Sequence, residues 1–195
     1  MCQLFQVNNE ITIALLRVED YRHRIDMAII PREQRERVER FQSEHDRTKK
    51  LIARSYLFQY CKKHYGLEDF SFVYGEYQRP SFRETAINFS ISYSQDVIAI
   101  ALSPQEVVGL DIECLDASRV SENVASEFMT SDELLIFSER GGDEQVRFFY
   151  QVWTAKESFL KAQGSGLTVN PRTITAETNI SLYGDSYVMS VTQLP

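Results

Sequence analysis

The 195-residue sequence has no long hydrophobic run and few cysteines. No segment approaches the roughly 18 consecutive apolar residues of a membrane-spanning helix. The amino terminus lacks the basic region and small-residue cleavage site of a signal peptide. Cys2, Cys61 and Cys114 are an odd number without metal-ligand spacing, which fits a reducing compartment better than a disulfide framework. The sequence therefore predicts a cytoplasmic protein without a membrane partner.

Positive charge is in deficit, with 21 Lys and Arg against 28 Asp and Glu and a net charge of −7. This balance argues against a general nucleic-acid-binding protein. Residues 32–54 reverse the local sign, because they contain eight basic and five acidic residues. Either a solvated helical face of mixed charge or a local site for an anion would explain this segment.

The chain also lacks the G-x-x-x-x-G-K-[ST] motif, which excludes the P-loop phosphate enzymes. Its hydrophobic content of 43% is enough to build a core in one or two small domains. Strands and helices follow each other without regular βαβ alternation, so the predicted class is α+β. A boundary near Ser103 separates residues 1–103 from residues 104–195. The predicted strands are 4–7, 11–18, 70–74, 87–93, 97–102, 107–113, 173–177 and 187–191, and the predicted helices are 31–42, 43–66, 131–138 and 144–163.

The strand VVGLDIE, residues 107–113, contains two acids two positions apart. Side chains alternate along a strand, so Asp111 and Glu113 share one face while Val108 and Leu110 share the other. A surface strand with its polar side in solvent is one interpretation. The other is a site for a hard cation such as Mg²⁺, which prefers one or two carboxylates together with phosphate oxygens.

A third acid, Glu157, falls within the apolar stripe of the helix predicted at 144–163. An isolated carboxylate would lose several kcal/mol on burial, so Glu157 must be neutral, paired or bound to a metal. An ion pair with Lys161 at i,i+4 is the structural alternative. A metal held by Asp111, Glu113 and Glu157 would explain all three acids, and Lys156 and Lys161 would then suit phosphate oxygens on the same ion.

These motifs resemble the paired signature of the 4′-phosphopantetheinyl transferases, in particular the monomeric surfactin-synthetase-activator type. The two main motifs are GLDIE at 109–113 and WTAKESFLK at 153–161. Either motif alone would be weak, but the two together at this spacing are specific. Shorter matches extend the resemblance over residues 31–167, and they are PREQRERVERF at 31–41, DRT at 46–48, GEYQRP at 75–80 and NFSISYS at 88–94.

The resemblance implies a 4′-phosphopantetheinyl transferase fold, in which two similar α+β halves form an intramolecular pseudo-dimer with coenzyme A in the cleft between them. Residues 1–103 would supply the contacts to the nucleotide end of coenzyme A. Residues 104–195 would supply the metal-binding and catalytic motifs. The family implies a monomer whose co-substrate is coenzyme A and whose partner is an apo acyl carrier or peptidyl carrier protein.

By the same resemblance, Mg²⁺ lies on Asp111, Glu113 and Glu157, and Lys161 contacts the pyrophosphate. The implied contacts at the nucleotide end are Arg37, Arg47, Thr48, Arg79, Ser92 and Tyr93. Two of these fit the sequence independently. Thr48 is near a predicted helix amino terminus, where phosphates bind, and Arg79 precedes a proline, which favours an extended backbone.

The sequence departs from the family at Tyr93, where the family usually has histidine, because a neutral phenol adds no positive charge. It also ends at Pro195, which is short for this type. The predicted reaction moves the 4′-phosphopantetheine arm of coenzyme A to a carrier-protein serine and releases 3′,5′-adenosine bisphosphate. Asp111, Glu157 and Lys161 are the predicted catalytic residues. The alternatives are a non-catalytic relative that binds carrier protein or coenzyme A, and a different magnesium-phosphate enzyme on an unrelated α+β fold.

Overall fold

The computed structural model describes residues 2–7, 10–77, 79–175 and 180–194. The chain divides into two compact units, Met1–Gln105 and Glu106–Pro195. They are called unit 1 and unit 2 below.

Unit 1 is built on a four-stranded antiparallel sheet with the strand order β1-β2-β6-β5. A separate two-stranded ladder joins β3 and β4. The strands are β1 (Gln3–Val7), β2 (Ile11–Arg17), β3 (Phe72–Tyr74), β4 (Pro80–Phe82), β5 (Asn88–Ser94) and β6 (Val97–Ser103), and the helices are α1 (Val18–Tyr21), α2 (Arg32–Glu39) and α3 (Glu44–Tyr65).

Helix α3 has a clear start and stop in the sequence. The hydroxyl of Ser43 accepts a hydrogen bond from the backbone N–H of Asp46, which satisfies one of the unpaired donors of the first turn. The helix ends at Gly66, whose φ of 65° is a left-handed conformation that glycine adopts without steric penalty. Phe58 is fully buried and lies against Phe70 and other aromatic rings. This contact anchors the helix in the core of unit 1.

Unit 2 contains a three-stranded antiparallel sheet with the order β7-β9-β8. Short 3-10 turns, among them Pro171–Thr173, connect its elements. The strands are β7 (Val107–Cys114), β8 (Ile180–Tyr183) and β9 (Tyr187–Leu194), and the helices are α4 (Glu122–Phe128), α5 (Ser131–Ser138) and α6 (Gly142–Gln163).

The structure confirms the α+β class, and each unit combines an antiparallel sheet with one 22-residue helix. The predicted hairpin of β5 and β6 is also confirmed. The strand predicted at 173–177 is wrong at its start. The side chain of Asn170 accepts a hydrogen bond from the N–H of Arg172 and caps a 3-10 turn there, and residues 176–177 lie outside the described residues. The sequence analysis missed α1, α4, β4 and β8.

Candidate active site

The close approach of α6 to β7 defines the site in unit 2. It depends on Gly109, because a Cβ atom at that position would lie 1.9 Å from the carbonyl oxygen of Ser158 and 2.5 Å from the backbone nitrogen of Ala162. Asp111 is two residues further along β7, so its side chain projects from the same face, towards α6. The face that carries the acids is therefore covered by a helix, and the surface-strand alternative is wrong for Asp111, which is 4% exposed.

Asp111 and Lys161 form an ion pair across this contact. The ammonium nitrogen of Lys161 lies 2.6 Å from Oδ1 of Asp111. The alternative of the sequence analysis paired Lys161 with Glu157 on its own helix. In the structure Lys161 pairs with Asp111 on the neighbouring strand, and its charge also acts on Glu157. The ion pair therefore links α6 to the GLDIE motif on β7.

Glu157 is the half-buried third acid of the site. Burial raises the pKa of its carboxyl group, and the negative charges of Asp111 and Glu113 raise the pKa further, while Lys161 lowers it. All three acids and Lys161 thus act on one another electrostatically. A carboxyl group with a raised pKa is suited to accept a proton.

The arrangement of these acids does not form a ready metal site. Over the residues that the structure describes, no group of three or more His, Cys, Asp or Glu side chains is placed to hold a metal ion. Their chemistry nevertheless fits Mg²⁺, because three carboxylates that repel one another would be stabilised by a hard cation. In the structure the ammonium group of Lys161 supplies part of this positive charge.

Buried hydroxyl groups hold α6 against β9. Thr154 and Ser190 share a hydrogen bond of 2.8 Å between their hydroxyl oxygens, and Ser158 and Thr192 share another of 2.9 Å. A third hydroxyl pair links Ser190 to Ser181 on β8 at 3.1 Å. The sequence analysis missed this ladder, although Ser190 and Thr192 alternate with apolar residues and so lie on one face of a strand.

In unit 1, the structure connects two of the predicted nucleotide contacts, Arg37 and Tyr93. The guanidinium carbon of Arg37 lies 4.0 Å from the ring centroid of Tyr74. The hydroxyl of Tyr74 and the amide of Gln34 are within hydrogen-bond distance, at 3.2 Å. Arg54 donates its Nε–H to the amide oxygen of Gln34 at 3.2 Å, and its nearby positive charge lowers the pKa of Tyr93.

Arg47 and Thr48 line a separate pocket of about 340 Å³ between α2 and α3, together with Arg35 and Leu51. Arg47 donates to the carbonyl oxygens of Phe41 at 2.7 Å and Gln42 at 2.9 Å. Arg47 therefore also stabilises the loop that connects α2 to α3. The hydroxyl of Thr48 donates to the carbonyl oxygen of Glu44, one turn earlier.

The other predicted contacts in unit 1 are Ser92 and Arg79. Ser92 is buried, and it precedes Tyr93 on β5, so the two side chains point to opposite faces of the sheet. Only Tyr93 faces α3. Arg79 is partly buried, and this burial lowers the pKa of its guanidinium group, which still stays charged because arginine is so strongly basic.

Comparison with known proteins finds a family that is similar to this part of the chain. The family model of the 4′-phosphopantetheinyl transferase superfamily matches residues 107–183, which include Asp111, Glu113, Glu157 and Lys161. The matched segment of the chain is therefore similar to the 4′-phosphopantetheinyl transferase superfamily.

Two relatives are of the predicted type. The 4′-phosphopantetheinyl transferase Sfp of Bacillus subtilis (strain 168) is 30% identical over 146 residues, which are 73% of this chain and 64% of Sfp. The 4′-phosphopantetheinyl transferase gsp of Aneurinibacillus migulanus is 33% identical over 119 residues, which are 61% of this chain and 48% of gsp. The chain thus spans less than two thirds of the length of these relatives.

A structural comparison finds the holo-[acyl-carrier-protein] synthase of Thermotoga maritima at 20% identity and a TM-score of 0.30, over 45% of this chain and 62% of that one. At this score the likeness carries no argument. Among the described residues, no helix is long and apolar enough to cross a membrane.

The surroundings of Lys156 correct the prediction that its side chain suits phosphate oxygens. Its side chain is fully buried, and its ammonium group donates to Glu133 at 2.6 Å and to the carbonyl oxygens of Phe128 at 2.7 Å and Pro171 at 3.0 Å. An ammonium group has three donors, and all three are used. Lys156 therefore joins α4, α5 and the Pro171–Thr173 turn to α6, and it has no donor left for a phosphate.

Proposed function

We propose that the protein transfers the 4′-phosphopantetheine arm of coenzyme A to a serine of an apo acyl carrier or peptidyl carrier protein. The products would be the holo carrier protein and 3′,5′-adenosine bisphosphate. The observation that carries this proposal is the meeting of Asp111, Glu157 and Lys161 across the close contact at Gly109. These residues lie within the segment that matches the superfamily.

In this proposal, Asp111, Glu113 and Glu157 would hold Mg²⁺. Carboxylate oxygens are the ligands that this cation prefers, and the three charges already act on one another. When bound, the ion would neutralise negative charge on the pyrophosphate of coenzyme A.

Glu157 is the group that we assign to take the proton of the carrier-protein serine. Glu157 would accept this proton directly or through a water, as a carboxylate placed beside the reacting serine can. Lys161 would supply positive charge to the phosphate from its position beside Asp111. Residues 104–195 would thus provide the reacting groups.

Residues 1–103 would bind the nucleotide end of coenzyme A. The contacts are the basic and hydroxyl side chains implied by the family resemblance, and Lys156 is left out because its donors are occupied. They are Arg37, Arg47, Thr48, Arg79, Ser92 and Tyr93.

Mass spectrometry tests the transfer directly. An apo carrier protein incubated with this protein, coenzyme A and Mg²⁺ should gain the mass of one phosphopantetheine arm. Asp111→Asn should abolish the gain while the far-UV circular dichroism stays that of the parent, because the change keeps the shape of the side chain and removes its charge. Asp143→Asn, which alters an exposed acid in the first turn of α6, is the matched control and should keep full transfer. Near-normal transfer by Asp111→Asn would rule out the assigned role.

The same experiment decides between the transferase and its non-catalytic alternative. Binding of coenzyme A or of the carrier protein without any gain in mass would favour the binding module. That the protein acts as a monomer in the cytoplasm, without nucleic acid or membrane, stays a prediction from the sequence. Light scattering during size-exclusion chromatography tests the monomer.

A further inference from the structure

Lys50, on the face of α3 towards β5, is held between two aromatic rings. Its ammonium nitrogen lies 4.4 Å from the ring centroid of Tyr93 and 4.5 Å from that of Phe41. Cations are attracted to the faces of aromatic rings, so these two rings fix the position of the charge. Partial burial, together with the nearby charge of Arg54, lowers the pKa of Lys50.

Arg54 lies one turn further along α3 and belongs to the same cluster. It donates to the buried amide oxygen of Gln34, and its positive charge acts on the phenol of Tyr93. Gln34 in turn contacts the hydroxyl of Tyr74, against which Arg37 is stacked. Three cations, Arg37, Lys50 and Arg54, are thereby tied into one network with Tyr93.

The charges of Lys50 and Arg54 are not balanced by acids nearby. Among the described residues, no carboxylate comes within ion-pair distance of either side chain. Asp46 is the acid that acts on Lys50 electrostatically, but it is paired with Lys49 at 3.0 Å. Like charges held this close repel one another, and a bound anion would relieve the repulsion.

We propose that Lys50 and Arg54 bind a phosphate group of coenzyme A together with Arg37 and Tyr93. The family resemblance implies Arg37 and Tyr93 as contacts, and the geometry of unit 1 adds Lys50 and Arg54 to them. Tyr93 can donate one hydrogen bond but carries no positive charge. Lys50, directly above the ring, supplies the charge that the phenol lacks. The inference rests on the proposed function, because coenzyme A is the ligand.

Calorimetric titration with coenzyme A tests the role of Lys50. Lys50→Met keeps the length of the side chain and removes its charge, and it should weaken binding about tenfold, as expected for one lost charge-assisted hydrogen bond. Lys50→Arg keeps the charge and should retain most of the affinity. Lys49→Met alters the neighbouring lysine, which is paired with Asp46, and should bind like the parent.

The salt dependence separates a phosphate contact from a structural role. Parent affinity should fall as salt is raised, and the affinity of Lys50→Met should fall less steeply, because fewer charges remain to be screened. Arg54→Gln should show the same loss, and its melting temperature reports separately whether the Gln34 network still holds. Affinity and salt dependence equal to the parent in both variants would overturn the inference, even where the parent transfers normally. A parent that does not bind coenzyme A would overturn the proposed function and this inference with it.

Discussion

Helices α3 and α6 have the same length and both end at a glycine in the left-handed conformation, but they meet their sheets in different ways. Helix α3 contributes large side chains to the core of unit 1, among them Leu57 and Phe58. Helix α6 meets β7 and β9 through small or hydroxyl-bearing residues, among them Gly109 and Ser158, and it lies much closer to its strands.

The difference decides which side chains can meet. Large core residues hold a helix and a sheet apart, so charged groups in unit 1 meet through long side chains such as Lys50 and Arg54. Small residues let α6 approach β7, so the short carboxylate of Asp111 comes within 2.6 Å of Lys161. The stability of unit 1 should therefore be lowered most by core substitutions that remove side-chain atoms. The stability of unit 2 should be lowered most by substitutions that add atoms between α6 and β7.

The largest expected effect is the loss of volume in unit 1. Phe58→Ala would leave a cavity beside Phe70, Phe72 and Phe82, and it should lower the free energy of unfolding by about 3 to 5 kcal/mol. Denaturant titration followed by circular dichroism measures this loss. Tyr77→Ala removes an aromatic side chain that is 46% exposed and should change stability by less than about 0.5 kcal/mol. A loss below about 1 kcal/mol for Phe58→Ala would contradict the comparison.

The next largest loss of stability is expected when one methyl group is added in unit 2. Gly109→Ala should cost about 3 kcal/mol, the upper part of the range for overpacking, because the new Cβ meets the backbone of α6. Trp153 is the single tryptophan of the chain and lies in unit 2, so its fluorescence during denaturation reports this unit. Gly75→Ala is the matched change in unit 1, where the Cβ would meet only a carbonyl oxygen at 3.9 Å. Equal stability of the two variants would show that α6 can move aside without cost.

A somewhat smaller loss is expected from the buried charge of unit 2. Lys156→Met should cost about 2 to 3 kcal/mol, because Glu133 keeps its charge but loses its partner. The double change Lys156→Met with Glu133→Gln should recover part of the loss, since the amide oxygen can still accept from the N–H of Thr130. Lys62→Met in unit 1 breaks only an exposed pair with Glu68 and should be nearly neutral. If the double variant lost as much stability as the sum of the losses of Lys156→Met and Glu133→Gln, the two side chains would not be coupled and the prediction would be wrong.

The smallest expected effect is a dependence of the stability of unit 1 on pH. Burial raises the pKa of Tyr93 to about 12, so above pH 10 the unfolded chain ionises this phenol first while the folded protein keeps it protonated. The stability from Tyr93 is then present below pH 10 and is lost as the pH rises towards 12. Tyr93→Phe should remove this part of the alkaline decline. Absorbance of phenolate during a pH titration measures it, and ionisation of Tyr93 near pH 10 in the folded protein would disprove the burial argument.

The sequence by itself determined the secondary-structure elements and the sequence motifs of this protein. Alternation of apolar and polar residues predicted β5 and β7, and an apolar run after a turn predicted β6. Capping signals at Ser43 and Gly66 predicted α3, because these are local properties of the chain. The motifs GLDIE and WTAKESFLK are also local, and they carry the resemblance to the 4′-phosphopantetheinyl transferases, whose family model matches residues 107–183.

Tertiary structure alone decided how the side chains are partnered. Lys156 and Lys161 are five residues apart on one helix, yet the first is buried on Glu133 and the second reaches Asp111. The partners lie 23 and 50 positions away in the sequence, so no local pattern distinguishes the two lysines. The choice depends on how closely α6 approaches β7, and that distance is set by the space left free at Gly109.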